Sequence, residues 1–185
     1  MSKVLIAGIG NVLLGDDGVG PFAIKVLESQ YEFPDTVELA DLGTPTLDLP
    51  MYLSQADALI LVDSASFAGE AGAIRRFRKS EILRSAPRAR VDTHSPALVE
   101  SLALAELIGK LPREVLMIGV QGTRFDPGCP LSSPVRNCMP HIVDAVRREL
   151  YRLGVWCEPK TNVKPLGAWW DSVPPGTVGA ALLKW

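Results

Sequence analysis

The segment Ala58-Leu59-Ile60-Leu61-Val62 has no polar side chain on either face, and it stops at Asp63. A strand of that kind must be covered on both sides, as in the interior of a largely parallel sheet with helices above and below. The rest of the chain reads accordingly. Lys3 to Ala7 and Thr36 to Ala40 read as strands, 73–78 as a strand nearer an edge, and Val115 to Val120 as a last buried strand. Helical stripes run between them. Val19, Phe22, Ala23, Val26 and Leu27 recur at steps of three and four, which predicts an amphipathic helix over roughly 20–30, with Pro21 at its entry. Leu47 to Ser54 reads as a short helix, and Ser95-Pro96 opens another that runs to about Ile108. The stripe from Val135 through Cys138, Met139, Ile142, Val143 and Val146 to Leu150 predicts one final helix.

This alternation predicts an α/β fold: a three-layer sandwich with a mostly parallel twisted sheet flanked by helices. Residues 1–157 are expected to form that domain. From Glu158 the pattern stops, and Pro159, Pro165, Pro174 and Pro175 predict an extended C-terminal tail over 158–185. All four tryptophans, Trp156, Trp169, Trp170 and Trp185, lie in the last thirty residues. Such rings either dock on the domain's own surface or form a hook for a partner.

A net charge of -2 gives no electrostatic case for nucleic acid or an anionic membrane. No apolar run approaches the length of a membrane span. The basic run Arg75-Arg76-Phe77-Arg78-Lys79 reads as the solvated face of an edge strand. The three cysteines, Cys129, Cys138 and Cys157, form no C-x-x-C pair and fit reduced thiols in a cytoplasm. Cys138 with His141 is a poor metal signature without further ligands, and both read as structural or surface residues.

The chemistry gathers elsewhere. Gly8-Ile9-Gly10-Asn11-Val12-Leu13-Leu14-Gly15-Asp16-Asp17-Gly18-Val19-Gly20 joins the first strand to the first helix. A dinucleotide site would want a glycine where Leu13 stands, and Asp16 and Asp17 would repel a pyrophosphate. The turn therefore suits a cation, although either aspartate alone could simply cap the helix. Asp63 closes a central strand, and His94 stands just before a helix. A parallel sheet brings strand ends and helix starts to one edge, so Asp17, Asp63 and His94 are expected in a single crevice. Two oxygen donors and one nitrogen donor suit zinc or nickel with coordination positions left open. These positions are expected to be exposed and to carry little stability. A serine hydrolase built from Ser64 or Ser66 with His94 and Asp92 lacks the G-x-S-x-G elbow.

With these residues in view, the chain resembles the hydrogenase maturation proteases. The resemblance rests on Gly8-Ile9-Gly10-Asn11 with Asp16-Asp17-Gly18, and on Asp41-x-Gly43-Thr44, Val62-Asp63, Thr93-His94 and Leu116-Met117-Ile118-Gly119-Val120-Gln121. It covers about residues 3–153; the tail runs past the usual family end. It implies an endopeptidase that removes the C-terminal extension of a nickel-iron hydrogenase large-subunit precursor after nickel insertion. The family's metal-ligand positions correspond to Asp17, Asp63 and His94, which would also be catalytic. The nickel would be presented by the substrate and license cleavage, or a divalent ion such as zinc or nickel would sit at the same site. Water would attack directly, with Asp63 or Asp17 as general base. Asp41, Gly43 and Thr44 would contact the precursor near the cleavage point. A cytoplasmic monomer is expected. The competing readings are a nickel-checking assembly chaperone of the same fold and a small-molecule hydrolase.

Overall fold

The computed structural model describes residues 3–44, 49–85, 95–163 and 167. In chain order the elements are β1 (Val4–Ile9), a 3-10 turn (Gly15–Gly18), α1 (Val19–Gln30), β2 (Tyr31–Glu32), β3 (Val37–Gly43), α2 (Leu49–Leu53) and β4 (Ala58–Ser64). They continue with β5 (Ile74–Arg78), α3 (Lys79–Ser85), α4 (Ser95–Leu107), β6 (Glu114–Val120), α5 (Ser133–Asn137), α6 (Met139–Arg152) and β7 (Glu158–Pro159). Five strands form the main sheet in the order β3-β1-β4-β6-β5. β3, β1, β4 and β6 are mutually parallel, and β5 joins the β6 edge antiparallel. The expected mostly parallel three-layer sandwich is what the chain forms.

Strand alternation divides the core. Val4 and Ile6, Ala58, Ile60 and Val62, and Leu116, Ile118 and Val120 pack with α1 and α6 on one face. Leu5, Ala7 and Ile9, Leu59 and Leu61, and Val115 and Met117 pack with α2, α3 and α4 on the other. β4 is buried along its whole length, as its uniformly apolar composition requires. From β1 the chain crosses through α1 to β3 on one flank, then through α2 to β4 on the other. Adjacent crossovers therefore diverge at the carboxyl ends of β1 and β4, which leaves a crevice there.

The apolar stripe expected to form one final helix is split into α5 and α6, with Cys138 at the corner. Pro140, second in α6, has no N–H to bond the carbonyl four residues back and suits the first turn of a new helix, so the ladder breaks there. Beyond α6 the chain stays tied to the body. β7 pairs antiparallel with β2, and the Lys160 N–H donates to the Gln30 carbonyl at 2.7 Å. Trp156 meets the Tyr151 ring edge-on while both stay exposed. Trp169, Trp170 and Trp185 lie outside the described residues.

The basic run on β5 is more than a solvated face. Its even-numbered side chains turn toward α6, and Arg78 forms two hydrogen bonds to the buried Glu149 carboxylate, at 2.5 and 3.0 Å. Arg152 also donates to Glu149 and reaches Glu114. Burial pushes the Glu149 carboxyl up, but the hydrogen bonds and charges of Arg78 and Arg152 outweigh it and leave the group below its ordinary 4.5. A lowered folded value stabilises the protein above the unfolded value, and that stability is lost as pH falls through the folded one. Glu149→Gln should therefore cost about 1–3 kcal/mol near neutral pH. Urea midpoints of the two proteins measured against pH should converge as the pH falls below 4.5 and through the lowered folded value.

Candidate active site at the carboxyl edge of the sheet

The glycine-rich turn works by omission of side chains. A Cβ on Gly20 would stand 2.5 Å from the Ile9 nitrogen and collide with the carbonyls of Ile9 and Val62; one on Gly8 would collide with Gly20 in return. Backbone therefore lies directly on backbone where α1 starts, which brings the preceding 3-10 turn over the ends of β1 and β4. Gly10, at φ +131, faces the Asp17 carbonyl so closely that no other residue fits.

The two aspartates of that turn are both buried, and they do different work. Asp16 Oδ2 accepts the N–H groups of Thr123 at 2.9 Å and Arg124 at 3.0 Å, and its Oδ1 accepts the Ser132 N–H at 2.6 Å. It fastens the loop that follows β6 to the loop that follows β1. Asp17 Oδ2 accepts the Asn11 N–H at 2.7 Å, and its Oδ1 accepts the Ser64 hydroxyl at 3.0 Å. Asp17 thus bridges the ends of β1 and β4 within the crevice.

Asp63 lies next to Ser64 and is only 6% exposed. Burial first, and the charge of Asp17 second, raise its carboxyl well above the ordinary 3.8. Asp17 and Asp63 therefore lie close enough for their charges to interact, and both are buried where exposed positions were expected. His94, and Asp92 of the hydrolase reading, lie outside the described residues; α4 begins at the next position, Ser95. Among the described residues no group of three His, Cys, Asp or Glu converges.

Asp41 and Thr44 are exposed at the carboxyl end of β3. The Asp41 Oδ1 accepts the Gly43 N–H at 3.0 Å in a side-chain-closed turn, with Gly43 at φ +56. The Gly43 carbonyl in turn accepts the Gly10 N–H at 2.8 Å, which couples this loop to the glycine-rich turn. Cys138 is buried, and burial together with the Asp16 charge pushes its thiol up to about 11 despite a backbone hydrogen bond that lowers it. It stays protonated and is no nucleophile. His141 is exposed. What the sequence did not indicate is the contact made by Ser64, weighed there only as a nucleophile, and by Gln121, named only as the end of the last strand's motif. The Gln121 Oε1 accepts the Phe67 N–H at 2.8 Å and so shapes the loop after β4. Only the position of each polar residue at a strand end pointed to them.

An open, mostly parallel α/β sheet with two buried carboxylates at its switch point defines an α/β protein whose candidate site lies at the carboxyl edge. Residues 22–149 match the family model described as hydrogenase maturation protease. The hydrogenase expression/formation protein HupD of Bradyrhizobium diazoefficiens is 33% identical over 83% of this chain and 81% of its own length. The hydrogenase 2 maturation protease of Escherichia coli is 25% identical over 87% of this chain and 98% of its own. The solved structure of the hydrogenase maturating endopeptidase HybD from Escherichia coli superposes with a TM-score of 0.80 at 26% identity, covering 86% of this chain and 98% of that one. The chain belongs to the hydrogenase maturation protease family, whose members are endopeptidases.

Two substitutions separate the roles of the carboxylates. Asp16→Asn turns one acceptor into a donor facing backbone N–H groups, and should lower unfolding free energy by about 2–4 kcal/mol in urea titrations. Asp63→Asn should act in the opposite direction. Because the folded value of Asp63 is raised, its stability cost grows as pH rises from 3.8 toward that folded value and stays constant above it. The asparagine variant should melt above the wild type at pH 7, and the gap should close as the pH falls below 3.8.

Proposed function

We propose that this chain is the endopeptidase that removes the C-terminal extension of a nickel-iron hydrogenase large-subunit precursor once nickel has been inserted, reading the bound nickel through Asp17, Asp63 and His94. The observation that carries this reading is the burial of Asp17 and Asp63 against each other at the switch point. Two buried carboxylates repel, and a dication held by the incoming substrate relieves that repulsion. An empty precursor offers no such relief, so the charge pair discriminates against it. His94, which precedes α4 in sequence, supplies the nitrogen donor in this reading.

The peptide bond is then hydrolysed by water. Asp63, whose carboxyl holds a proton more readily than an ordinary aspartate, takes the proton of the attacking water as the new C–O bond forms. The proton passes to the departing amide nitrogen as the C–N bond breaks. Asp17 is kept in place by Asn11 and Ser64 and serves as a fixed donor. The loop of Asp41, Gly43 and Thr44 lies beside the crevice and contacts the precursor near the cut. The work takes place in the cytoplasm, where the precursor is assembled. No described helix is long and apolar enough to cross a membrane.

Purified protein incubated with nickel-loaded and nickel-free precursor tests the reading. Only the loaded precursor should be shortened, even when zinc is supplied. Asp17→Asn, Asp63→Asn and His94→Ala should each slow processing by about a hundredfold or more while the protein remains folded. Efficient cutting of the nickel-free precursor would reveal a resident catalytic metal instead. Binding of the loaded precursor without shortening would favour an assembly chaperone.

A further inference from the structure

On the face of the sheet that carries Asp63, a cavity of about 540 Å³ opens beside the crevice, lined in part by Phe67, Arg75, Phe77, Glu81 and Arg84. Register fixes where it lies. Asp63 on β4 is paired with Gly119 on β6, and Gly119 is paired with Arg75 on β5. Leu59, Leu61, Val115, Met117 and Phe77 share one core, so two-residue alternation puts Asp63, Gly119 and Arg75 on that same face. Arg75 thus stands two strands across from Asp63, a backbone separation of about 10 Å.

Gly119 keeps the row between them low. A Cβ there would lie 2.8 Å from the Phe77 ring and 2.9 Å from the Ala65 Cβ. Without one, the Phe77 ring settles over β6 and floors the cavity, edge-on to Phe67 with centroids 6.1 Å apart. The Arg75 guanidinium lies over Phe77 at 4.8 Å from the ring centroid. Neither Arg75 nor Arg84 has a carboxylate partner among the described residues. The Arg84 Nε donates to the Ser80 carbonyl at 2.9 Å. Among the described residues of the wall the one acid is Glu81, whose carboxylate accepts the Arg78 backbone N–H at 2.9 Å among its contacts. Among the described lining residues, two guanidinium forks and one carboxylate thus border an aromatic-floored cavity, a positive balance in a chain whose net charge is -2.

We propose that this cavity is a specificity subsite that binds a carboxylate of the precursor's removable extension through Arg75 and Arg84. The guanidinium fork matches a carboxylate bidentately, and stacking on Phe77 holds the Arg75 fork in a fixed plane. An extended peptide advances about 3.3 Å per residue, so the carboxylate stands about three residues beyond the bond cut beside Asp63. The proposal rests on the cleavage reading above and adds which part of the substrate is recognised.

The test uses the full-length protein and an Arg75→Gln/Arg84→Gln double variant, both changes lying on exposed positions. With nickel-loaded precursor, the double variant should raise KM about tenfold and leave kcat within about twofold. A fluorescently labelled synthetic peptide of the extension is then titrated as the free acid, with an amidated C-terminus, and with its Asp and Glu side chains replaced by their amides. Wild type should bind the free-acid peptide about tenfold more tightly than the double variant does. Loss of that preference on amidation assigns the terminal carboxylate, and loss on side-chain replacement assigns an acidic side chain. Precursor cleavage with KM unchanged in the double variant overturns the subsite and leaves the protease reading standing. If wild type cuts no precursor, the protease reading falls and the peptide titration alone judges the cavity: absent binding, or binding equal in both proteins, overturns it.

Discussion

Everything at the carboxyl edge of this sheet depends on a contact between two backbones with no side chain between them. Gly8 and Gly20 let the start of α1 rest on β1 and on the end of β4. A single methyl at either position meets fixed main-chain atoms, and overpacking of that kind typically costs about 1–3 kcal/mol. The close approach swings the turn ahead of the helix inward. Asp16 and Asp17, which a looser packing would leave in water, are thereby forced into the interior.

Burial obliges each carboxylate to find partners, because an unpaired buried charge is far more costly than an exposed one. Asp16 is fully met by three backbone N–H groups from the segment after β6, so its charge becomes a staple between two loops. Asp17 accepts one N–H and one hydroxyl and still faces Asp63. The crevice therefore retains an unresolved repulsion. The fold tolerates it because the surrounding sheet is held independently by β4, buried on both faces.

The opposite end of the sheet shows the same rule at work on an edge. β5 would expose unpaired backbone on its outer side, and its charged side chains discourage pairing with another chain. The same strand reaches inward through Arg78, which neutralises the buried Glu149 on α6 and ties the antiparallel edge to the helical layer. Its other face presents Arg75 over Phe77 toward the cavity beside Asp63. One basic run thus serves stability on one face and leaves charge available on the other.

What the sequence determined by itself was whatever depends on near neighbours along the chain. The uniformly apolar 58–62 run could only be an interior strand, and the three-and-four spacing of Val19, Phe22, Ala23, Val26 and Leu27 could only be one face of a helix. The parallel-sheet rule then carried Asp17 and Asp63 to one edge without any contact being known. Pro140 marks the break between α5 and α6 in the sequence itself, although the apolar stripe runs on across it. Tertiary structure alone decided which of two adjacent aspartates became a staple and which faced the crevice, and that both are buried. It alone joined Ser64 to Asp17 across 47 positions and Arg78 to Glu149 across 71. Periodicity reports the side of an element on which a residue lies. The partner it meets there is set by how helices and strands close on one another, and that depends on backbone approaches such as Gly8 on Gly20 that no local pattern encodes.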